Sequence, residues 1–153
     1  MARNTGARER VAADMDIAKA VDFARSHRKS VLTTIRKDFR PQLSNVTHWV
    51  ADDGLIRISI TADRAKYFNL SREPWTALHI SSEDFWSYAV IEGTAELTPV
   101  AGDPGDATVE ELIAYYRALS GEHPDWDDYR RAMVADRRAI VRITPNRAYG
   151  LLR

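Results

Sequence analysis

The segment that decides the fold is DDGLIRISITADRAK, residues 52–66. Its Asp53-Gly54 pair is typical of a tight hairpin turn, because glycine accepts the positive φ values that such a turn requires. From residue 55 to residue 61, isoleucine alternates with a polar side chain, which is the period-two pattern of a strand with one buried face. The segment therefore predicts a hairpin that leads into an antiparallel sheet.

Outward from this segment, the sequence predicts a mainly β (α+β) domain. Strands are predicted at residues 30–35, 41–50, 75–81, 86–98 with a bulge at Gly93, 139–144, and 148–152 after a turn at Pro145-Asn146. Helices are predicted at 14–27, from an Asp63 cap to about Ser71, from a Thr108–Glu111 capping box to Gly121, and at 125–136. Tight turns join most neighbouring strands and crossover helices are missing, so an antiparallel sheet closed into a barrel is favoured over a parallel sheet.

The composition argues against several classes of protein. The 153 residues carry 22 basic and 22 acidic side chains, and this balance argues against a nucleic-acid partner or an acidic membrane partner held by bulk charge. The absence of cysteine excludes disulfides, thiolate metal sites and cysteine nucleophiles. We find no signal peptide and no run of about 18 apolar residues. We therefore expect a cytoplasmic protein with a flexible arm at residues 1–13 and one domain at residues 14–153.

The start of the short helix, residues 63–66, is a candidate anion site. A helix N-terminus presents unpaired N–H groups and positive potential, and Arg64 and Lys66 add two cations there. Cations at this end oppose the helix dipole, so helix stability alone does not account for them. Ser59 and Thr61 lie on the polar face of the preceding strand, where they could converge on the same anion. The two interpretations are a phosphate site and a solvated surface turn.

Two other segments carry groups that suit a planar ring. The strand at 41–50 is unusually polar, and every second residue from Gln42 to His48 shares one face. Such a strand either offers edge partners to a heteroaromatic ring or is a solvated edge strand. Trp86 and Tyr88 are aromatic, and they would either wall a cofactor or pack in the core or a dimer interface. Tyr88 and His48 are the candidate catalytic residues, and the histidine spacing predicts no metal site.

Several landmarks together resemble one known family. They are Arg40-Pro41-Gln42-Leu43-Ser44-Asn45-Val46, Arg64-Ala65-Lys66 with Asn69-Leu70, and Trp86-Ser87-Tyr88-Ala89-Val90 followed by Glu92-Gly93-Thr94-Ala95. Over nearly its whole length the chain resembles the pyridoxamine 5′-phosphate oxidase-like split β-barrels. Within them it looks most like the actinobacterial flavin/deazaflavin oxidoreductases of the B group, which use coenzyme F420. The resemblance implies an antiparallel split β-barrel with a few flanking helices, in a homodimer with two cofactor sites at the subunit interface.

The resemblance also implies which residues bind the cofactor. Arg64 and Lys66 would hold its phosphate, residues 42–46 would line the ring, and residues 86–88 would come from the partner subunit or the pocket wall. The full set of implied cofactor-binding residues is Gln42, Leu43, Ser44, Asn45, Val46, Ser59, Ile60, Arg64, Ala65, Lys66, Asn69, Trp86, Ser87 and Tyr88.

The function that the resemblance implies is F420-dependent hydride transfer to or from a small unsaturated or conjugated organic substrate. The alternatives are an FMN-binding oxidoreductase of the same fold and a carrier or sensor that binds F420 without turnover. Pyridoxamine phosphate oxidases proper grip their substrate with an arginine-rich C-terminal motif. Residues 146–153 do not match that motif, so oxidation of vitamin B6 is not expected.

Overall fold

Eight antiparallel strands form one sheet in the structure, a computed structural model that describes residues 13–153. The arm predicted at residues 1–13 therefore lies outside the described residues, except for Ala13. In chain order the elements are β1 (Asp14–Met15), α1 (Ile17–Ser26), β2 (Lys29–Ile35), β3 (Pro41–Thr47), β4 (Trp49–Val50), β5 (Ile56–Thr61), α2 (Ala65–Arg72), β6 (Trp75–Ser81), β7 (Tyr88–Leu97), α3 (Ala107–Ser120), α4 (Trp126–Ala135) and β8 (Arg138–Leu151).

The order of the strands makes the sheet curl. Neighbours follow the order β3-β2-β6-β7-β8-β5-β4, and β1 pairs with β8. The two edge strands of this path, β3 and β4, are consecutive in the chain, so the two edges must come close together. Every pairing is antiparallel. The predicted antiparallel split barrel with flanking helices is confirmed.

The buried face of the sheet is the one that the isoleucine alternation predicts. Ile56, Ile58 and Ile60 on β5 are each at most 1% exposed, and they belong to the main core cluster together with residues of α1. Each fully buried aliphatic side chain stabilises the fold by roughly 1.5–3 kcal/mol, so a one-residue slip of β5 would be strongly unfavourable. This packing holds Ser59 and Thr61 on the opposite, polar face of the strand. None of the described helices is long and apolar enough to cross a membrane.

The start of α2 differs from the prediction. Asp63 does not cap the helix, because the capping position is Arg64, whose backbone is extended. The side chain of Arg64 makes no capping hydrogen bond. The first N–H groups of a helix have no partner within the helix, so these donors remain available to another group.

The start of α3 also differs. The predicted Thr108–Glu111 capping box is wrong, because the helix begins two residues earlier, with Asp106 as the N-cap and its carboxylate accepting the N–H of Val109. The Thr108 hydroxyl instead donates to the Pro99 carbonyl. Glu111 faces the sheet, where it accepts hydrogen bonds from Arg57 and Arg142. Two arginines on the sheet therefore hold the carboxylate that the capping box would have used, and they fasten α3 to β5 and β8.

The last strand is continuous where the sequence predicted a turn. β8 runs through Pro145 and Asn146, and its pairing with β7 shifts register between Glu92 and Gly93. Glu92 pairs with Arg147 and Gly93 pairs with Pro145, which leaves Asn146 as the extra residue of a bulge. Proline is tolerated at a bulge because the ladder is locally interrupted there. The predicted bulge at Gly93 is confirmed, and the predicted Pro145-Asn146 turn is wrong.

Candidate functional site

A groove with a volume of about 340 Å³ opens where β5 ends and α2 begins. It is bounded by the edge strand β3, by β5, by α3 and by the start of β8. The described residues that line it are Asn45, Val46, Thr47, Ser59, Ile60, Thr61, Arg64, Lys66, Tyr115 and Arg138. Six of them, Asn45, Val46, Ser59, Ile60, Arg64 and Lys66, belong to the predicted cofactor-binding set. We call this feature the basic groove.

Three cations share the basic groove. Burial lowers the pKa of Lys66, and the positive charges of Arg64 and Arg138 lower it further. Within residues 13–153 no carboxylate forms an ion pair with any of the three. Like charges held together in a partly buried cleft raise the free energy of the empty protein. An anion bound in the groove would offset the repulsion between these three cations.

The guanidinium group of Arg138 has hydrogen-bond donors that are not fully used within the described residues. Its Nη1 donates a long hydrogen bond of 3.3 Å to the Ser59 hydroxyl oxygen. Its Nε is buried and has no hydrogen-bond partner in the described part of the chain. Leaving a buried donor of a charged group unpaired costs about 1–3 kcal/mol or more. The orphaned Nε, the free amides at the start of α2 and the two neighbouring cations together fit an oxyanion.

The edge strand β3 offers backbone groups beside the basic groove. The N–H of His48 donates to the Arg28 carbonyl at 2.9 Å, which makes Lys29 and Thr47 a non-hydrogen-bonded pair in the β2–β3 ladder. Residues 43, 45 and 47 therefore turn their N–H and C=O groups away from β2. The Tyr115 hydroxyl donates to the Thr47 carbonyl at 2.8 Å, and residues 43 and 45 face the open edge.

A second cavity, of about 490 Å³, lies over the outer face of the sheet and is lined by residues of β3, β2 and β6. It shares Asn45, Val46 and Thr47 with the basic groove, so the two spaces adjoin across the end of β3. The remaining described residues that line it are Lys29, Ser30, Val31, His79 and Ser81. We call it the outer cavity. A ligand with an anionic end and a flat ring could extend from one space into the other.

The other predicted residues on β3 and α2 do not line the basic groove. The side-chain amide of Asn69 donates to Thr34 at 3.1 Å and to Gln42 at 3.0 Å, and its oxygen accepts from Arg72 at 2.7 Å. This buried network fastens α2 to β2 and β3 and so positions Arg64 and Lys66. Ser44 is half-buried, Ala65 is exposed, and Leu43 lies on the outer face of the sheet.

The predicted Trp86-Ser87-Tyr88 segment also lies away from the basic groove of its own chain. Trp86 is 67% exposed in the turn before β7, so this strand begins two residues later than predicted. Ser87 is buried, and its hydroxyl oxygen accepts the Arg153 N–H at 2.9 Å. The Tyr88 ring stacks on that of His79, with centroids 5.4 Å apart.

His48 lies inside the core rather than at the groove. It interrupts the predicted 41–50 strand between β3 and β4, and it is fully buried. Its Nε2 donates to the Ala24 carbonyl at 2.9 Å, and its Nδ1 accepts the Ser30 hydroxyl at 2.8 Å. The neutral ring can make both bonds, and burial lowers the pKa of His48, which favours that neutral form. The geometry gives this histidine a structural role that links α1, β2 and β4.

The buried His48 predicts acid-sensitive stability. Since its pKa is lowered on folding, the unfolded chain binds more protons below about pH 6.5, and stability falls as the pH decreases. We expect the slope to be at most about 1.4 kcal/mol per pH unit below roughly pH 6.5, and to level off once the pH falls below the lowered pKa of the folded protein. Urea unfolding of the wild type and of His48→Gln across this range measures it. Equal pH slopes in the two proteins would contradict the prediction.

Sequence reasoning missed Arg138, Tyr115 and His79. Arg138 pairs with Thr61 across β5 and β8, so it reaches the groove only through long-range strand pairing. Tyr115 arrives on α3, whose face toward β3 depends on how the helix packs. No local pattern in the sequence marks either residue. His79 sits within the predicted strand at 75–81, and its outward direction could have been read from the alternation with buried Leu78 and Ile80.

Comparison with known proteins agrees with this architecture. The sequence model of one family, described as pyridoxamine 5′-phosphate oxidase, matches residues 17–152. Among solved structures, an F420 reductase is 23% identical with a TM-score of 0.65, over 83% of this chain and 93% of that one. A conserved hypothetical protein from Mycobacterium tuberculosis is 24% identical with a TM-score of 0.69, over 94% of this chain and 89% of that one.

A more distant structure has the same fold. General stress protein 26 from Bacillus anthracis is 16% identical with a TM-score of 0.57, over 88% of this chain and 92% of that one. At 16–24% identity these likenesses are evidence of a shared fold.

Proposed function

Because the chain belongs to the pyridoxamine 5′-phosphate oxidase family, we propose that it is an oxidoreductase that binds coenzyme F420 and transfers hydride between this deazaflavin and a small conjugated organic substrate. One observation carries the proposal. Three cations line the basic groove without a carboxylate partner among residues 13–153, and the buried Nε of Arg138 has no partner there either. The phosphate of the cofactor would supply what these donors lack.

The residues of the groove suit that phosphate. Arg64 and Lys66 would each make a charge-assisted hydrogen bond to it, and the first amides of α2 would add neutral donors. Arg138 would turn its free Nε to the same anion. Ser59 accepts a hydrogen bond from Arg138 and keeps its own hydroxyl proton to donate.

The open edge of β3 suits the ring. The pyrimidine part of a flavin or deazaflavin alternates carbonyl and N–H groups, and residues 43 and 45 present free backbone N–H and C=O groups beside the groove. Asn45 and Val46 line both the basic groove and the outer cavity. The ring would therefore lie along this strand, with the outer cavity next to it.

The hydride transfer itself is chemistry of the cofactor, and the protein mainly has to position the reactants. When bound, the deazaflavin supplies two-electron hydride transfer. The chain's own residues fix the phosphate, hold the ring edge and shape the cavity beside it, which brings the substrate close and excludes water. No residue lining the basic groove is required as a nucleophile.

We propose that the active form is a homodimer joined through the outer face of the sheet. A further cavity of about 350 Å³ on this face is lined by Val31, Thr33, Leu43, Trp75, Ala77, His79, Val90 and Tyr149. Leu43 in it is 60% exposed. A large apolar patch on a protein surface marks a site of association. The exposed turn at Trp86 would then approach the groove of the other copy, as the family resemblance implies.

FMN is the alternative cofactor, and the charge of the groove favours it to some degree. A phosphate monoester carries nearly two negative charges at neutral pH. The phosphodiester of F420 carries one. Three cations therefore balance the monoester better, whereas the ring edge serves both cofactors equally.

Titration with each cofactor tests the proposal. We expect F420 to bind with a dissociation constant on the order of micromolar, measured by ring fluorescence, and FMN to bind more weakly. The reverse order of affinities would replace F420 by FMN. Mixing the reduced cofactor with enones, quinones and tetrapyrroles then separates an enzyme from a carrier. Tight binding without oxidation by any acceptor would contradict the enzymatic part of the proposal.

A further inference from the structure

His79 is an exposed imidazole at the wall of the outer cavity. It projects from the middle of β6, and its cross-strand partners are Val31 on β2 and Val90 on β7. It lines both the outer cavity and the apolar cavity on the same face. A titratable ring set among aliphatic neighbours contributes little to packing that an apolar residue would not supply better.

The ring nitrogens of His79 are uncommitted, and the ring is oriented. Within the described part of the chain, His79 forms no side-chain hydrogen bond and no ion pair. The Tyr88 ring lies 5.4 Å away and nearly parallel, at 15°, which limits the imidazole to few orientations. In the proposed homodimer the second copy would cover the apolar cavity on one side of this ring, and on the other side the ring nitrogens can donate to a molecule in the outer cavity.

We propose that the outer cavity is the substrate site and that His79 is the proton donor of the reaction. This inference rests on the proposed function, since it needs the cofactor ring along β3. An acceptor with a carbon–carbon double bond conjugated to a carbonyl gains hydride at one carbon from the reduced cofactor. The imidazolium N–H of His79 gives its proton to the neighbouring carbon, which completes a two-electron reduction. The neutral imidazole then takes a proton from water.

The other polar groups at this cavity are less suited to the task. Imidazole is the side chain that ordinarily changes protonation near neutral pH, whereas ammonium and phenol groups do so near pH 10. Lys29, which lines this cavity, and Tyr88, which stacks on His79, are of those two types. Asn45 and Thr47, which also line this cavity, carry an amide and a hydroxyl and are not acids of this kind. Serine hydroxyls at positions 30 and 81 do not titrate in this range. His48, the other histidine near β3, is buried and engaged on both nitrogens.

Nuclear magnetic resonance of the histidine rings tests the placement without turnover. We expect the ring signals of His79 to shift when oxidised F420 is added, and those of buried His48 to stay where they are. The variant His79→Asn identifies the signal and should bind F420 within about twofold of the wild type. If F420 binds and the His79 signal does not move, the inference is wrong while the proposed cofactor stands. If F420 does not bind at all, both fail.

Turnover tests the proton transfer. With reduced F420 and 2-cyclohexen-1-one as the acceptor, His79→Asn should lower the rate by about 10²–10⁴, the usual share of a general acid. The matched control is His123→Asn, which removes an imidazole from the connection between α3 and α4. Circular dichroism checks that both variants fold. A wild-type rate in His79→Asn, or binding of F420 without reduction of any enone by the wild type, would overturn the role.

Discussion

The double variant Arg64→Ala/Lys66→Ala is expected to bind F420 about 10²- to 10⁴-fold more weakly than the wild-type protein. Each charge-assisted hydrogen bond to the phosphate contributes about 1.5–3 kcal/mol, so the loss of two contributes about 3–6 kcal/mol. Lys66→Ala alone should weaken binding roughly 10- to 100-fold. The fold should survive, because neither side chain forms an ion pair within the described residues and Asn69 holds α2 in place.

Fluorescence titration of the cofactor measures this effect, with Lys19→Ala/Arg25→Ala as the matched control. The control removes the same two charges from the exposed face of α1, so it reports any effect of net charge alone. We expect the control to stay within about threefold of the wild type, because the two side chains are exposed, do not line the basic groove, and are screened by salt. An unchanged affinity in the groove variant would remove the basic groove as the phosphate site. An equal loss in the control would make the effect one of net charge.

Features that depend on neighbouring residues were predictable from the sequence. The alternation of isoleucine in β5 gave its buried face, because burial selects apolar residues at every second position of such a strand. The sequence around the start of α2 predicted two of the cations in the basic groove, Arg64 and Lys66, because both directly follow β5 in the chain. Gly93 gave the bulge, because a residue without a side chain in a long strand marks a close approach of backbones.

Features that depend on distant pairing were not predictable. Arg138 reaches the groove because it pairs with Thr61, a residue 77 positions earlier in the chain. The network of Glu111 with Arg57 and Arg142 exists only once α3 packs on the sheet, and it overrode a good local capping signal. Pro145 carries a local turn signal that the β7–β8 ladder overrides by placing it at a bulge.

Gly150 was not singled out in the sequence, and the structure gives it the strictest requirement of the described glycines. Its φ is +147°, which side chains rarely adopt, and a Cβ there would overlap the carbonyl oxygen of Tyr88 and lie 3.0 Å from the Cα of Ala89. Both obstacles belong to the backbone of β7, which cannot rotate away. The close approach keeps β8 against β7, the strand that carries Tyr88. The Tyr88 ring in turn stacks on the ring of His79, which lies on β6.

Gly150→Ala is therefore expected to lower the free energy of unfolding by about 2–6 kcal/mol. Backbone strain contributes about 1–3 kcal/mol of this, and overlap with the packed strand contributes about 1–3 kcal/mol more. Against a usual stability of about 5–15 kcal/mol, that is a large share. Thermal unfolding should show it as a fall in Tm of about 2–4 °C for each kcal/mol.

Gly54→Ala separates the two contributions to the Gly150 effect. Gly54 also has a positive φ, of +81°, but a Cβ there would meet no atom within 4 Å. Its replacement should therefore cost only the strain of a left-handed residue, about 1–2 kcal/mol. The excess loss in Gly150→Ala then measures how tightly β8 presses on β7. If the two variants lose equal stability, the backbone contact between Gly150 and Tyr88 is looser than the geometry implies. The orientation of the Tyr88–His79 pair would then not depend on that contact.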